Sequence, residues 1–184
     1  MIAREQAFEL VSSRIPNSNL IGHCVATEII MGALAQRLGL PEADVERWEL
    51  AGLLHDLDYA QTAEDPARHA LITAEELQGQ IDDEMIHAIL AHADKAERES
   101  QMDHALWCAD PTTGFIVAAA LVRPEKELEG VKVSSLLKRW KEKAFARGAS
   151  REQMAGHEAL GLEREEFLGI SLASMQARHE ELGL

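Results

Sequence analysis

The chain has 184 residues, of which 46% are hydrophobic, 27% charged and 4% aromatic. That length and balance describe one globular domain with a core of its own, and the scarcity of aromatic and β-branched runs argues against a large sheet. A formal charge of -14, from 18 basic and 32 acidic residues, argues against broad binding to a nucleic-acid polymer.

Alanine, leucine, glutamate, glutamine and arginine dominate, and all favour helix. A first amphipathic helix is predicted from about residue 2 to Arg14, stopped by Pro16. A second opens near Asn17 or Ser18 and ends before Gly39. Its apolar positions Leu20, Cys24, Met31, Leu34 and Leu38 recur at helical spacing. Pro41 starts a third helix, whose stripe Leu50, Leu53, Leu54 and Leu57 carries the dipeptide His55-Asp56. Asp65-Pro66 reads as the cap and first residue of a fourth helix ending by Gly79, and Asp82 caps a fifth that runs to about His92. A charged loop from Asp94 to Gln101 leads into a helix holding Leu106, Trp107, Asp110, Phe115 and Val117, with Pro111 inside it.

After Pro124 the character changes, and residues 125–133 read as a loop. Ser134 is predicted to cap a basic helix with Lys138, Arg139, Lys141, Lys143 and Arg147, closed by Gly148. Ser150 and Gln153 match a capping box, and a last helix is expected from about Glu163 to Glu181. The expectation is therefore all-α: a helical core over residues 1–124 and a helical extension over 125–184 packed on the same domain. Trp48, Trp140 and Phe145 serve either that core or an oligomer interface.

The two cysteines, Cys24 and Cys108, form no CxxC pair, which excludes a zinc knuckle, and both read as reduced core residues. No signal-type apolar run follows Met1 and nothing approaches 18 consecutive apolar residues, so no membrane span is expected and the cytoplasm is the default location.

A His-Asp dipeptide alone is common by chance. Here the pair ends the apolar run Leu50-Ala51-Gly52-Leu53-Leu54, where an unpaired carboxylate is costly and a metal ion is one remedy. His23, His92 and Asp110 also sit on otherwise apolar helical faces. A lone buried histidine usually only makes hydrogen bonds, and a lone buried aspartate usually caps or pairs. Several of them on different helices point instead to a metal site, with imidazole and carboxylate donors suited to Zn, Mn, Fe or Ni rather than Ca. His87 does not share a face with His92 and reads as a non-ligand, and His104, His157 and His179 read as surface residues in polar surroundings.

The order His23, His55-Asp56, Asp110 resembles the H…HD…D signature of the HD superfamily of metal-dependent phosphohydrolases. The resemblance implies a bundle of about five helices in which these four residues hold a metal. His69, in the segment Arg68 to Leu77, and His92, in Ile89-Leu90-Ala91-His92-Ala93, resemble the two further histidines of the binuclear subgroup. By that likeness Asp56 bridges two ions, with His69 and His92 on the second. Residues 107–124 and the basic helix are similar to a family of uncharacterised predicted HD hydrolases. The Gly-Tyr-Pro motif of cyclic-di-GMP phosphodiesterases is absent, no second histidine follows His92, and Leu57-Asp58 stands where a common variant has Ile-Gly.

The chemistry this implies is attack by a metal-bound hydroxide on a small phosphate ester or nucleotide. Asp56 is the central catalytic ligand. Asp58 is read either as a residue supporting the site or as a loop cap, and Lys95 either as a cation for the substrate or as a solvated charge. The basic run either pairs with glutamates or lends one or two residues to a phosphate. Thr112 and Thr113 are expected to bond back within their helix rather than to substrate. Two other readings stand beside the hydrolase: a di-iron HD-fold oxygenase with the same six ligands, and a non-catalytic module that binds metal or nucleotide. The expected partner is a small phosphorylated substrate, with no nucleic-acid polymer and no membrane; an oligomer stays open.

Overall fold

Asn17 and Gly39 bracket the helix on which the rest of the chain packs. In the computed structural model, which describes all 184 residues, α1 (Arg4–Arg14) precedes it and α2 spans Ser18–Arg37. The Asn17 side chain accepts the Asn19 amide at 2.9 Å and satisfies one of the orphan donors of the first turn. Gly39 lies just past its end at φ 75°, a left-handed conformation that carries no Cβ clash in glycine. By length and composition alone α2 would suit a membrane span. Most of its residues from Cys24 to Ala35 are instead buried by the chain itself, against α3 (Glu42–Leu54), α7 (Gln101–Leu121) and α10 (Arg164–Ala177).

The contact between α2 and α3 depends on Gly52. A Cβ there would stand 2.8 Å from both the Glu28 amide nitrogen and the Thr27 carbonyl oxygen, so α3 lies directly on the α2 backbone. This close approach sets the position of His55, three residues further on.

The remaining elements are α4 (Tyr59–Thr62), a 3-10 turn (Pro66–Arg68), α5 (Leu71–Leu77), α6 (Asp83–His92), α8 (Val133–Trp140), α9 (Arg151–Met154), a second 3-10 segment (Ala155–Leu160) and α11 (His179–Leu182). Asp82 caps α6 by accepting the Met85 amide at 3.0 Å, and Ser150 caps α9 by accepting the Gln153 amide at 3.2 Å. A reciprocal box of Ser100 and Asp103 opens α7. The fold is all-α; its one β feature is an isolated bridge between Gln78 and Ile81. Leu53, Leu54, Phe115 and Phe167 are fully buried in one continuous core, each worth roughly 1.5–3 kcal/mol relative to exposure. Trp48 and Trp140 belong to that core, both cysteines are free and buried in it, and Phe145 packs at its edge against Phe115.

Four expected elements differ in extent. α3 stops at Leu54 rather than running past Leu57. The expected helix from Asp65 to Gly79 is split into the 3-10 turn and α5, with Ala70 between them at φ 66°. The basic helix starts after Lys132 rather than Ser134 and ends at Trp140, leaving Lys141, Lys143 and Arg147 beyond it. Arg151 donates there to the carbonyls of Phe145 and Ala149, at 2.8 and 2.7 Å, while Arg139 stacks on Phe145, and these bonds hold the chain in a folded-back loop. The last helix breaks at Arg178, whose guanidinium makes paired bonds of 2.7 and 2.8 Å to Glu181. His157, expected at the surface, is buried: its Nδ1 bonds the Leu162 carbonyl at 2.8 Å and its ring stacks on Phe167.

Candidate metal centre

Where α3 ends, the chain enters tight turns closed by Leu57 N–H to the Leu54 carbonyl and Tyr59 N–H to the Asp56 carbonyl, at 3.2 and 2.9 Å. Adjacent side chains on a continuing helix would diverge by about 100°. In the turn, His55 and Asp56 face one centre, His55 fully buried and Asp56 nearly so. α2 brings His23, the segment before α5 brings His69, the last turn of α6 brings His92, and the middle of α7 brings Asp110.

Asp56 lies at the middle of the group. Its Oδ2 is 3.5 Å from His23 Nε2, and its Oδ1 is 3.5, 3.3 and 3.6 Å from Nε2 of His55, His69 and His92. Asp110 Oδ1 stands 3.2 Å from His23 Nε2 and 3.9 Å from His55 Nε2. The imidazoles form an edge-to-face row, His23–His55–His92–His69, with ring centres 5.1, 5.0 and 5.2 Å apart. The donor atoms fall into overlapping triads: His23, His55, Asp56; His55, His92, Asp110; and Asp56, His69, His92.

Each imidazole is held from behind. His55 Nδ1 donates to the Gly52 carbonyl at 2.8 Å, His92 Nδ1 to the Ile89 carbonyl, and His69 Nδ1 to Asp58 Oδ1 at 2.9 Å. The Thr113 hydroxyl donates to the Asp110 carbonyl at 2.8 Å, so its oxygen is left to accept His23 Nδ1 at 2.7 Å. All four rings thus carry a proton on Nδ1 and turn Nε2 inward, the tautomer that metal ligation needs. The His92 Nε2 is buried with no hydrogen-bond partner, since 3.6 Å to Asp56 is too long for one.

Without a cation, protons must occupy this centre. Burial opposes charge on His23, but hydrogen bonds to Asp110 and Asp56 outweigh it and raise its pKa to about 10. Burial lowers His55 to about 4. Burial also disfavours the Asp56 carboxylate, yet the neighbouring His55, His23 and His92 hold it well below the usual range. His23 Nε2 and His55 Nε2 are 3.2 Å apart, so at most one proton lies between them, where a cation would satisfy both lone pairs. Imidazole nitrogens with carboxylate oxygens and no thiolate suit a divalent transition metal, so the donor set fits such an ion.

The HD domain profile matches residues 20–139, a span that contains all six of these residues. The chain belongs to the HD domain family. It is 33% identical over 139 residues to a protein named Ribonuclease Y from Parafrankia sp. (strain EAN1pec), a match covering 73% of this chain and 25% of that one. Ribonuclease Y from Mycoplasma capricolum subsp. capricolum is 33% identical over 93 residues, 50% of this chain and 18% of its own. The chain therefore spans a quarter or less of the length of these relatives. No solved structure matches it.

Within this HD domain Asp58 does not reach the centre. It is buried, with Oδ1 on His69 Nδ1 and the Ala70 amide and Oδ2 on the Thr73 amide at 3.0 Å. Burial disfavours its charge, but His69 and these amides hold its pKa below the usual value. The Lys95 ammonium donates at 3.3 Å to the Pro66 carbonyl, which also accepts the His69 amide, so it lies against the His69 loop rather than among the six. His87 bonds Asp103 at 3.1 Å, outside the cluster. Thr113 bonds back within α7, as its sequence context implies, and also orients His23, a role only the tertiary fold reveals.

Proposed function

We propose that this HD domain is a metal-dependent phosphohydrolase that uses two divalent transition-metal ions, Fe, Mn, Zn or Ni, on a small phosphate ester. The observation that carries the reading is the set of four inward-turned Nε2 atoms around two carboxylates, each ring fixed through Nδ1. His23, His55 and Asp110 would hold one ion, His69 and His92 the other, and Asp56, the one group within reach of all four imidazoles, would serve both. Such ions, when bound, polarise a phosphoryl oxygen and lower the pKa of water.

The chain's own residues prepare the site for this. Thr113, Asp58 and the Gly52 and Ile89 carbonyls fix ring orientation, and burial of His55 keeps its Nε2 unprotonated near neutral pH. In a chain of charge -14 a phosphate needs local positive charge, which the ions would provide. The net charge favours a small ester over the polymer implied by the name of the ribonuclease relatives.

The test is metal content on protein purified without chelators, beside the His69→Ala variant. We expect about two ions per chain falling to about one, with phosphate release from small esters under Mn or Fe. One ion unchanged in the variant removes His69 and the second ion from the site. Oxygen uptake without phosphate release would replace hydrolysis with the oxygenase chemistry.

A further inference from the structure

Two glycines inside helices border open space. Gly22 in α2 and Gly114 in α7 both have helical backbone, and an added Cβ at either would meet nothing within 4 Å. Glycine weakens a helix relative to alanine. Gly52 and Gly156 are different, since a Cβ would strike the α2 backbone at the first and the Trp107 ring at the second. Gly22 and Gly114 face the same groove, of about 370 Å³, which begins at His23 and Thr113 and is closed by Leu182 and Leu184. That volume is at the lower end of the range for small-molecule sites, roughly 300–1,000 Å³.

The groove follows α7 away from the metal centre. Asp110, Gly114, Val117 and Leu121 succeed one another on one helical stripe, which puts Leu121 about 16 Å along the axis from Asp110. No lysine, arginine, aspartate or glutamate lines it, although 27% of the chain is charged. Beyond His23, a charged group entering it would lose water and meet no side chain of opposite charge, whereas an uncharged group with an apolar face would pack on Val117, Leu121 and Leu182.

We propose that this groove is the subsite for the leaving group of the substrate, and that Gly22 and Gly114 are specificity-determining residues that keep it open. The substrate class is then a phosphate ester of an uncharged alcohol with a ring or other apolar body, its phosphate at the His23 end of the groove and its body along α7. The assignment rests on the phosphohydrolase reading, and the experiment separates the two.

First, 1-naphthol is titrated into protein labelled with 15N-glycine, a measurement that needs neither metal nor turnover. The Gly22 and Gly114 amide signals are expected to shift in a saturable way, and Gly114→Leu is expected to abolish that shift. Gly114→Ala, with a helical backbone and open space, is expected to raise Tm, which shows that the position tolerates a side chain. Second, the metal-loaded enzyme is assayed on 1-naphthyl phosphate and glycerol 3-phosphate. In Gly114→Leu, kcat/KM on the aryl ester is expected to fall about tenfold or more relative to that on the glycerol ester. An equal fall on both esters, or no glycine shift with naphthol, overturns the subsite. Saturable naphthol binding without hydrolysis of either ester upholds the groove as an apolar binding site and overturns the phosphohydrolase reading alone.

Discussion

The Asp58 carboxylate accepts a hydrogen bond from His69 Nδ1–H at 2.9 Å while its other oxygen accepts the Thr73 amide at 3.0 Å. One buried side chain therefore aims an imidazole at Asp56 and the candidate metal centre and holds the start of α5. A carboxylate behind a ligating histidine fixes its tautomer and raises its basicity, and losing it typically weakens metal binding about 10–100-fold. Asp58→Asn removes the charge and keeps one oxygen, so either the Thr73 amide or the pair of His69 Nδ1 and the Ala70 amide loses its acceptor. If two ions bind as proposed, calorimetric metal titration should show one binding event weakened by that amount and the other, at His23, His55 and Asp110, little changed. Equal affinities in variant and parent would show that Asp58 serves only the local fold.

Gly52 links the packing of α2 on α3 to the orientation of His55, because its missing Cβ admits the α2 backbone and its carbonyl accepts His55 Nδ1 at 2.8 Å. Gly52→Ala must push the helices apart. Overpacking of this kind costs about 1–3 kcal/mol, or roughly 2–4 °C of Tm per kcal/mol in a chain of this size. Metal affinity should fall with Tm, since His55 would shift. A variant that melts as the parent does would show that the contact yields without strain.

Much of this organisation is legible in the sequence where local rules decide it. Asn17, Asp82 and Ser150 are recognisable caps, and the structure uses each one. His23, His55, Asp56, His92 and Asp110 stand out as polar residues among apolar neighbours, His69 is legible only through the likeness to the HD family, and the fold brings all six together. Reading failed where distant contacts override the pattern. Ala70 adopts φ 66°, which a non-glycine residue avoids, while its amide bonds Asp58 twelve residues earlier. No periodicity announces that bond. The ends of the basic helix likewise depend on Arg151, and His157 is drawn inward by Phe167 and the Leu162 carbonyl, which single-residue polarity does not encode.

Asp103 should give the domain an acid-sensitive contribution to stability. It is buried, which disfavours its charge, but the Ser100 and Glu99 amides and His87 outweigh burial and depress its pKa. A carboxyl depressed in the folded state stabilises the fold above its unfolded pKa, about 3.9, and that stabilisation disappears as pH falls through the lower folded value. At pH 7, Asp103→Asn should be less stable by about 1–3 kcal/mol. The denaturation curves of variant and parent should converge as pH falls below about 3.9. A gap that stays constant to low pH would assign the loss to shape rather than charge.

His157 provides the contrast to the six clustered histidines. It is buried between Trp140 and Phe167, bonded through Nδ1 to the Leu162 carbonyl, and its Nε2 has no partner. Here the unpartnered nitrogen faces no carboxylate, so the ring packs the core and closes the second 3-10 segment. His157→Ala removes a buried ring and leaves a cavity, and comparable large-to-small changes cost about 2–5 kcal/mol. Thermal denaturation should register that loss, while metal content per folded chain and kcat stay at parental values. A loss of metal with the fold intact would mean that the C-terminal helices position the centre directly, and the separation drawn between His157 and the cluster would be wrong.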